Sequence, residues 1–476
     1  MKAFDKEEQR LVRIVPSPRQ LAYQQREFYG FIHFTINTYT DMEWGMGNED
    51  PAIFEPTELD VMQWAKTAQK AGMKGLILTC KHHDGFCLWP SAYTQHSIRN
   101  SPYQEGKGDI VRELAEACAA CGLHFGIYLS PWDRNHRDYG SGKAYDDYYT
   151  AQLTELLTNY GPIYTVWMDG ACGEGPNGKV QVYDWERYYQ TVRRLQPDAV
   201  LSISGPDVRW CGNEAGMVRS SEWSVVAKDM TSPALTAALS QQADTEEFRV
   251  RPLDPKLEDL GSRFVLKNEQ ELAWYPAETD VSIRPGWFYH PAEDDRVRSL
   301  ENLKEIYLNS VGGNTTLLLN MSPMKNGKLH PHDVKRLHEL GDFISHSFQN
   351  NLAEAAELWL RPTTDIQGRT GHILLKEDDC YFEMAEGEKE LEISLSWPKP
   401  VKASYLVLKE NIKFSQRVES FEVYLEIPDQ LQTLCCQGTT IGYKKIIRLG
   451  EKEISKLTVK ITEARVCPLL SFVGVY

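Results

Sequence analysis

Polar side chains follow each of the first four strand-like apolar segments of the chain. The first segment runs to His33, the second continues into His82 and His83, the third carries Tyr128, and the fourth ends at Asp169. A carboxylate can act as an acid, a base or a nucleophile, and a neutral histidine can donate a hydrogen bond to a ligand hydroxyl. Such residues after four successive segments would be unusual for purely structural positions, and they predict a site for chemistry on a polar, uncharged substrate.

Asp169 is the clearest candidate for a catalytic side chain. It closes the apolar segment YTVWMD, and Gly170 after it leaves room beside the carboxylate. The alternative is an aspartate that serves a turn or caps a helix, which is common after strands. Glu214 lies further along, in the segment WCGNE, and its position alone gives little support because loop glutamates are mostly solvated.

The same segments contain no recognisable metal or nucleotide motif. His82 and His83 are adjacent, and adjacent residues on a regular strand point to opposite faces, so both could not easily bind one ion. The zinc motifs HExxH and paired CxxC are absent. The segment GEGPNG from Gly173 has the spacing GxGxxG, but Pro176 and Asn177 make it turn-like and no helix begins within it. We therefore expect neither a metal ion nor a cofactor.

The elements that must position these residues alternate between strands and helices. Six apolar segments begin at Phe28, Gly75, His124, Tyr164, Val200 and Thr315, weaker strand candidates cover 219–223 and 278–283, and amphipathic helical segments lie between them. Apolar segments without alternation are typical of parallel strands buried on both faces. About eight such strands predict a (β/α)8-like, TIM-type barrel, with a doubly wound sheet as the alternative. In a barrel the carboxyl ends of the strands surround the active site.

The pattern changes after about residue 345. The segments ELEISLSW, ASYLVLKE, SFEVYLEI, KKIIRLG and KLTVKITEA alternate apolar and polar residues, and turn-rich connections are expected between them. This alternation predicts an antiparallel β-sandwich. We place a catalytic barrel domain at 1–345 and a sandwich domain at 346–476. Residues 224–270 carry few signals and are predicted to form a long loop region.

Composition excludes several classes of partner. The 476 residues carry a net charge of -15 without a basic run, so we expect no nucleic-acid partner. No apolar run has the length of a membrane span, and the polar N-terminus does not resemble a secretory signal. A cytoplasmic location is the default expectation, or a secreted or periplasmic one if a signal was removed. Oligomeric state is not predicted. The 12 Trp residues would suit stacking on sugar rings, although most are expected in the core.

Four long segments resemble the α-L-fucosidases of glycoside hydrolase family 29. They are GFIHFTINTYTDMEWG, LTCKHHDGFCLWPSAYTQHS, GIYLSPWDRN and VWMDGACGEGPNG, and the resemblance extends over roughly residues 25–325. It implies a (β/α)8-like barrel followed by a β-sandwich, in agreement with the patterns above. The segment Gly212-Asn213-Glu214 is similar to the acid/base motif of the branch that prefers α-1,3 and α-1,4 fucosyl linkages. One departure is Thr35-Ile36, where relatives often have Gly and a small apolar residue.

The resemblance also implies roles for particular residues. Asp169 matches the nucleophile and Glu214 the acid/base of a retaining, exo-acting enzyme that needs no cofactor and acts on a fucosylated oligosaccharide. A non-catalytic glycan-binding protein on a glycosidase scaffold, another exo-glycosidase such as a galactosidase, and transfer of fucose to an acceptor are the alternatives. Trp167 and Trp287 are candidates for a wall against the fucose methyl group. The matched substrate-binding positions are His33, Glu43, Trp44, His82, His83, Tyr128, Trp167, Trp210, Arg219 and Trp287.

Overall fold

The N-terminal domain is built around one ring of parallel strands. The computed structural model describes residues 6–240 and 258–476. Within them this domain contains β1 (Phe28–Ile32), β2 (Gly75–Lys81), β3 (His124–Leu129), β4 (Thr165–Met168), β5 (Val200–Ile203), β6 (Arg209–Trp210), β7 (Val225–Ala227), β8 (Leu272–Trp274), β9 (Ala277–Ser282) and β10 (Thr316–Asn320). Eight strands pair in parallel in the order β5-β4-β3-β2-β1-β10-β9-β6. A parallel bridge between Ser202 and Val208 closes the ring beside β5, so the predicted (β/α)8-like barrel is confirmed.

Helices surround the barrel and connect most of its strands. In the described residues they are α1 (Lys6–Val12), α2 (Pro18–Gln24), α3 (Asn37–Thr40), α4 (Val61–Lys70), α5 (Ile110–Ala120), α6 (Lys143–Asn159), α7 (Trp185–Leu195), α8 (Pro233–Ser240), α9 (Arg263–Leu266), α10 (Leu300–Ser310) and α11 (Pro331–Ser347). Helices α4 to α7 lead from β1 to β5, and α10 leads from β9 to β10. Asp60, Asp109 and Asp184 accept a backbone hydrogen bond at the start of α4, α5 and α7, which stabilises these helix ends.

The sixth barrel strand differs from its prediction. The sequence predicts a strand over 219–223, but these residues are irregular and β6 is Arg209–Trp210, only two residues long. Within this segment Arg219, Glu222 and Trp223 are buried, although they form no strand. Residues 204–208, all within the described chain, join β5 to β6 without a helix. The predicted long loop over 224–270 contains β7, α8 and α9, and its residues 241–257 lie outside the described residues.

The C-terminal domain is an antiparallel β-sandwich, which confirms its predicted class. Its strands are β11 (Glu357–Arg361), β12 (Phe382–Glu383), β13 (Leu391–Glu410), β14 (Val418–Glu426), β15 (Thr433–Gly438), β16 (Lys445–Ala464) and β17 (Leu469–Val475). Segments expected as four separate strands form two, because β13 and β16 each run through 20 residues. Their register shifts between Ser396 and Val401, where Pro398 and Pro400 interrupt the ladder and let the strand bend from one layer into the other.

The two domains share a continuous apolar interface. Val407, Ile446 and Phe472 of the sandwich belong to the same buried cluster as the barrel's outer layer. Beside it, burial opposes ionisation of Glu27, but Lys444 and Lys409 lower the pKa of its carboxyl to about 2. Apolar packing and the ion pairs of Glu27 with Lys409 and Lys444 therefore hold the sandwich against the barrel. The boundary at residue 345 stays a prediction. No helix among the described residues is long and apolar enough to cross a membrane.

Candidate active site

Asp169 stands at the carboxyl end of β4 with both of its oxygens occupied. Oδ1 accepts from the backbone N–H of Ala171 at 2.8 Å, so the residue does make the turn considered as its alternative role. Oδ2 accepts from the hydroxyl of Tyr128 at 2.9 Å and lies 3.6 Å from Nε2 of His83. The side chain is 19% exposed. Two donors thus fix the orientation of the carboxylate, and one edge of it remains exposed to solvent. A nucleophile or a base needs both a fixed orientation and access to the substrate.

His83 and His33 are held in defined orientations by groups that bind their Nδ1 atoms. The hydroxyl of Ser130 donates to the carbonyl of Trp132 at 2.7 Å, and its oxygen is then left to accept from Nδ1 of His83, also at 2.7 Å. In the same way the amide of Asn320 donates through Nδ2, and its Oδ1 lies 2.8 Å from Nδ1 of His33. In a neutral ring this leaves Nε2 as an acceptor. Their Nε2 atoms are thus the acceptors of the two rings, and the contact of these histidines with sugar hydroxyls stays a prediction.

The three histidines of the site stay neutral at physiological pH. Burial lowers the pKa of His33 to about 4 and that of His83 to about 4, and it lowers the pKa of His82 well below its ordinary value. The rings of His82 and His83 lie 4.1 Å apart, closer than opposite faces of a strand would allow. The reason is that β2 ends at Lys81, so both residues lie beyond the regular strand.

Trp287 links Glu214 to the rest of the pocket. Nε1 of Trp287 donates to Oε2 of Glu214 at 3.1 Å. The Trp287 ring lies 5.2 Å from the ring of His33, and His33 lies 6.2 Å from the ring of Tyr128, which binds Asp169. This chain of contacts brings the two predicted catalytic carboxylates to one pocket at the carboxyl ends of the strands.

Asn213 shapes the turn that presents Glu214. Its Oδ1 accepts from the backbone N–H groups of Ala215 and Met217 at 3.0 and 3.1 Å, and its Nδ2 donates to the Met217 carbonyl at 3.0 Å. Gly212 before it has a φ of +102°, a conformation that favours glycine. The residues of the GNE segment thus form a compact turn that projects the glutamate.

Glu43 acts on the site through its neighbours. Its two oxygens accept from the backbone N–H groups of Trp287 and Phe288 at 2.9 and 3.1 Å, and Oε1 lies 2.7 Å from Nε2 of His290. The hydrogen bond to Glu43 raises the pKa of His290 to about 9. Trp44, the next residue, places its ring 5.8 Å from His83. Glu43 therefore holds the segment that carries Trp287, and its predicted contact with a sugar hydroxyl stays a prediction.

Two carboxyl groups of β9 enter the barrel interior and were not singled out from the sequence. Glu278 accepts from the hydroxyls of Tyr23 and Tyr29 and from Nε1 of Trp167, and burial raises its pKa to about 7. Asp280 accepts from Nε1 of Trp210 at 2.7 Å. Two of the four predicted tryptophans, Trp167 and Trp210, thereby donate to acids in the barrel interior. The segment ETDVS offered a signal, because two acids two residues apart on a strand buried on both faces must share the interior side.

Arg219 lies in the base of the loop that carries Glu214. It is 4% exposed, and its guanidinium is 3.3 Å from Glu222, which also pairs with Arg209. Burial opposes ionisation of Glu222, but the two guanidinium groups hold the pKa of its carboxyl below the usual value. Arg219 thus pairs with Glu222 at the base of the loop, and its role as a sugar contact stays a prediction.

The sandwich domain supports the same loop from outside. Oε1 of Gln416 accepts from the Ser224 N–H at 3.0 Å, and its Nε2 donates to the Glu222 carbonyl at 3.1 Å. Asn314 donates to that carbonyl as well, at 2.9 Å. Gln416 is fully buried, so these bonds are not exchanged with water.

A pocket of this kind at the top of a barrel defines a class of enzyme. Two carboxyl groups, neutral histidines and tryptophan rings meet at the carboxyl ends of the strands, where barrel enzymes do their chemistry. The active sites of glycoside hydrolases typically contain paired carboxyl groups, side chains that can bind hydroxyl groups, and aromatic faces. Among the described residues, no three His, Cys, Asp or Glu side chains form a cluster that could hold a metal ion.

Comparison with known proteins identifies the family. The family model for α-L-fucosidase matches residues 16–347. Alpha-L-fucosidase 1 of Arabidopsis thaliana is 38% identical over 468 residues, which cover 97% of this chain and 87% of that protein. The crystal structure of a candidate α-L-fucosidase from Bacteroides ovatus is 44% identical with a TM-score of 0.84, covering 99% of this chain and 76% of that one. A Ruminococcus gnavus fucosidase of glycoside hydrolase family 29, in complex with fucose, is 29% identical with a TM-score of 0.83, covering 100% and 95%.

The chain belongs to the α-L-fucosidase family, glycoside hydrolase family 29, and it is a glycoside hydrolase. The predicted family is confirmed, and enzyme activity is favoured over a non-catalytic glycan-binding protein.

Proposed function

We propose that this α-L-fucosidase is a retaining, exo-acting enzyme that releases terminal α-1,3- or α-1,4-linked L-fucose from branched oligosaccharides or glycoconjugates. Asp169 is the nucleophile and Glu214 the acid/base. The observation that carries the proposal is the Asp169 carboxylate, fixed by Tyr128 and by the Ala171 N–H in the pocket that Glu214 reaches through Trp287. The fucose bound by the Ruminococcus gnavus neighbour supports a fucosylated substrate.

The reaction proceeds by two displacements at the anomeric carbon. Asp169 attacks this carbon while Glu214 transfers a proton to the departing glycosidic oxygen, which gives a covalent fucosyl-enzyme and an alcohol. Glu214, now a carboxylate, removes a proton from water, and the water oxygen displaces Asp169. In a productive pose the two carboxyl groups should lie roughly 5–5.5 Å apart. Each displacement inverts the carbon, so the released fucose keeps the α configuration.

The other pocket residues recognise fucose itself. The Nε2 atoms of His33 and His83 accept from sugar hydroxyls, which neutral rings can do because burial keeps their pKa near 4. The faces of Trp167 and Trp287 meet the apolar C5 methyl group. Contacts to the hydroxyls contribute most to the rate if they strengthen as the ring flattens towards the oxocarbenium-like transition state.

Product stereochemistry and linkage preference test this proposal. Early time points of hydrolysis followed by proton NMR should show α-L-fucose before mutarotation, because two inversions restore the configuration. In a panel of defined oligosaccharides, α-1,3 and α-1,4 linkages on branched chains should be cleaved faster than α-1,2 linkages. Initial release of β-L-fucose would disprove the double displacement. Equal or faster cleavage of α-1,2 linkages would disprove the linkage preference.

Replacing Gln416 by Ala should weaken the support of the acid/base loop. The change leaves the buried Ser224 N–H without its acceptor and removes one of the two side-chain donors to the Glu222 carbonyl. The free energy of unfolding should therefore fall by about 1–3 kcal/mol. We expect kcat on a natural oligosaccharide to fall by roughly fivefold and kcat on an activated aryl fucoside to change little, since a good leaving group needs less protonation. Thermal melts and both kcat values provide the measurement.

Gln432→Ala is the matched control for this prediction, because Gln432 is an exposed residue of the same domain. It should leave both substrates and the melting temperature unchanged. If Gln416→Ala lowers both kcat values equally, the sandwich supports the whole pocket rather than the loop that carries Glu214.

A further inference from the structure

Asp280 lies in the barrel interior directly below the pocket. On β9 the side chains of Glu278 and Asp280 face inward, because Glu278 meets Tyr29 and Trp167 and Asp280 meets Trp210. Side chains two residues apart on a strand share a face, so both acids line one column. Asp280 is 3% exposed. Burying an ionised carboxylate costs free energy unless neighbouring groups stabilise it, and the proposed reaction assigns no role to Asp280.

Backbone pairing places Asp280 beside Glu214. After β6 the chain turns back, and Ala215 forms an antiparallel bridge with Val281. Residues that oppose each other across such a bridge share one face, and their chain neighbours share the other face. Glu214 and Asp280 both lie on that other face as diagonal residues, because the antiparallel register sets Ser282 opposite Glu214 and Gly216 opposite Asp280. Val281 belongs to the cluster outside the barrel, so the face that carries the two acids is the one towards the pocket.

We infer that Asp280 is a positioning residue that shares one proton with Glu214 and thereby keeps the proposed acid/base supplied with a proton at neutral pH. The inference depends on the proposed role of Glu214. It assigns to Asp280 no contact with the substrate. Its function is to make the loss of the last proton from the pair unfavourable, because two carboxylates would then face each other in a buried site.

The surroundings of Asp280 favour a shared proton. Burial and the charge of Glu214 raise the pKa of Asp280 well above its ordinary value. Among the described residues, Glu278 on the same strand and the thiol of Cys211 after β6 also act on Asp280 electrostatically, and neither supplies a positive charge. The Arg219 guanidinium acts on that thiol as well, and Glu222 is paired with it. Leu318 pairs with Asp280 from β10 and is apolar. The indole of Trp210 donates one hydrogen bond, which supports one charge but not two.

The proton balance of the reaction is consistent with this arrangement. In the resting enzyme the pair holds one proton. When the glycosidic bond breaks, that proton moves to the leaving oxygen and the pair is briefly doubly charged. The water that attacks the fucosyl-enzyme then returns one proton to Glu214, so the pair ends as it began. Repulsion within the doubly charged pair increases the basicity of Glu214 in the second step, when it acts as a base.

The pH dependence of Asp280→Asn tests the inference. The alkaline limb of kcat/KM on an unactivated fucosyl oligosaccharide reports loss of the acid's proton from the free enzyme. Asn cannot carry a negative charge, so Glu214 should lose its proton at lower pH. The limb should move to lower pH by about one unit, which is a roughly tenfold loss of activity on the alkaline side. The acidic limb, which follows the nucleophile, should stay within a few tenths of a unit.

A second variant should move the limb the other way. Trp210→Phe removes the hydrogen bond that stabilises the Asp280 anion, so the pair should hold its last proton more firmly and the alkaline limb should rise. Asp198→Asn, at an exposed position before β5, is the matched control and should leave the profile unchanged. If Asp280→Asn does not fold, the shift of the alkaline limb to higher pH in Trp210→Phe still tests the role of Asp280.

The failures of the two hypotheses are distinguishable. An alkaline limb that coincides with that of the wild type in both variants overturns the role of Asp280, provided that Glu214→Ala shows the behaviour of an acid/base variant. If Glu214→Ala retains normal activity on the oligosaccharide, the proposed function fails, and the inference about Asp280 fails with it.

Discussion

Asp169→Ala is expected to lower kcat on an aryl α-L-fucoside by roughly four orders of magnitude, which corresponds to about 5.4 kcal/mol of barrier. Without this carboxylate the anomeric carbon has no nucleophile within the pocket, and a good leaving group cannot compensate for its absence. The Tyr128 hydroxyl and the Ala171 N–H lose their acceptor, and both residues are buried. Water can enter the space of the missing side chain, because Asp169 is 19% exposed, and it can replace the lost acceptor. Initial rates with enzyme titrated by total protein give the measurement.

Azide provides a positive readout for the same variant. In Asp169→Ala an azide ion can occupy the space of the missing carboxylate and displace the aryl group in one step, so the product should be the inverted β-fucosyl azide. Asp198→Ala, a matched change at an exposed position, should retain wild-type rates. A variant of Asp169 that keeps a tenth or more of the wild-type kcat, with an unchanged melting temperature, would contradict the nucleophile assignment.

Glu214→Ala is expected to separate substrates by their leaving groups. A natural oligosaccharide has a poor leaving group and needs protonation, so its kcat should fall by roughly 10²–10⁴-fold. An aryl fucoside with an acidic phenol needs little assistance to form the fucosyl-enzyme and should be limited by the second step, which lacks its base. The Trp287 indole loses an acceptor at the pocket surface, and the fold should be preserved.

Azide should also rescue Glu214→Ala, with the opposite stereochemistry. A small anion needs no general base, so it intercepts the fucosyl-enzyme formed by Asp169 and gives the retained α-fucosyl azide. Comparison of the two azide products by NMR thus assigns each carboxylate to its role within one experiment. Equal loss on both substrates without rescue would show that Glu214 supports the pocket and does not transfer the proton.

The barrel and its catalytic edge were predictable because each depends on local patterns. Uninterrupted apolar segments of four to seven residues predict buried parallel strands, and their carboxyl ends must converge when the ring closes. The sequence therefore predicts that His33, His82, Tyr128 and Asp169 lie on one edge of the barrel. The roles of Asp169 and Glu214 came from resemblance, since a carboxylate after a strand also serves turns, as the Ala171 contact of Asp169 shows.

Features that depend on tertiary context were not predictable. A two-residue strand such as β6 has no periodicity, and only its pairing with β9 and the bridge beside β5 define it. Four of the expected sandwich segments form only two long strands, β13 and β16. In β13, nothing in the local sequence distinguishes a turn from a bend at Pro398 and Pro400. The orientation of His83 depends on Ser130, and the orientation of Trp287 depends on Glu43, in each case through a partner 47 or more residues away.

The two carboxylates of the pocket are carried by unequal kinds of structure. Asp169 extends from β4, a strand paired on both sides inside the ring, whereas Glu214 sits on a turn after the shortest strand of the barrel. Recognition of the fucose ring is thus built into the architecture, and the side that faces the remainder of the glycan is mounted on a replaceable segment. If the proposed roles hold, we expect substitutions in that segment to change the handling of the rest of the glycan more than the binding of the terminal sugar.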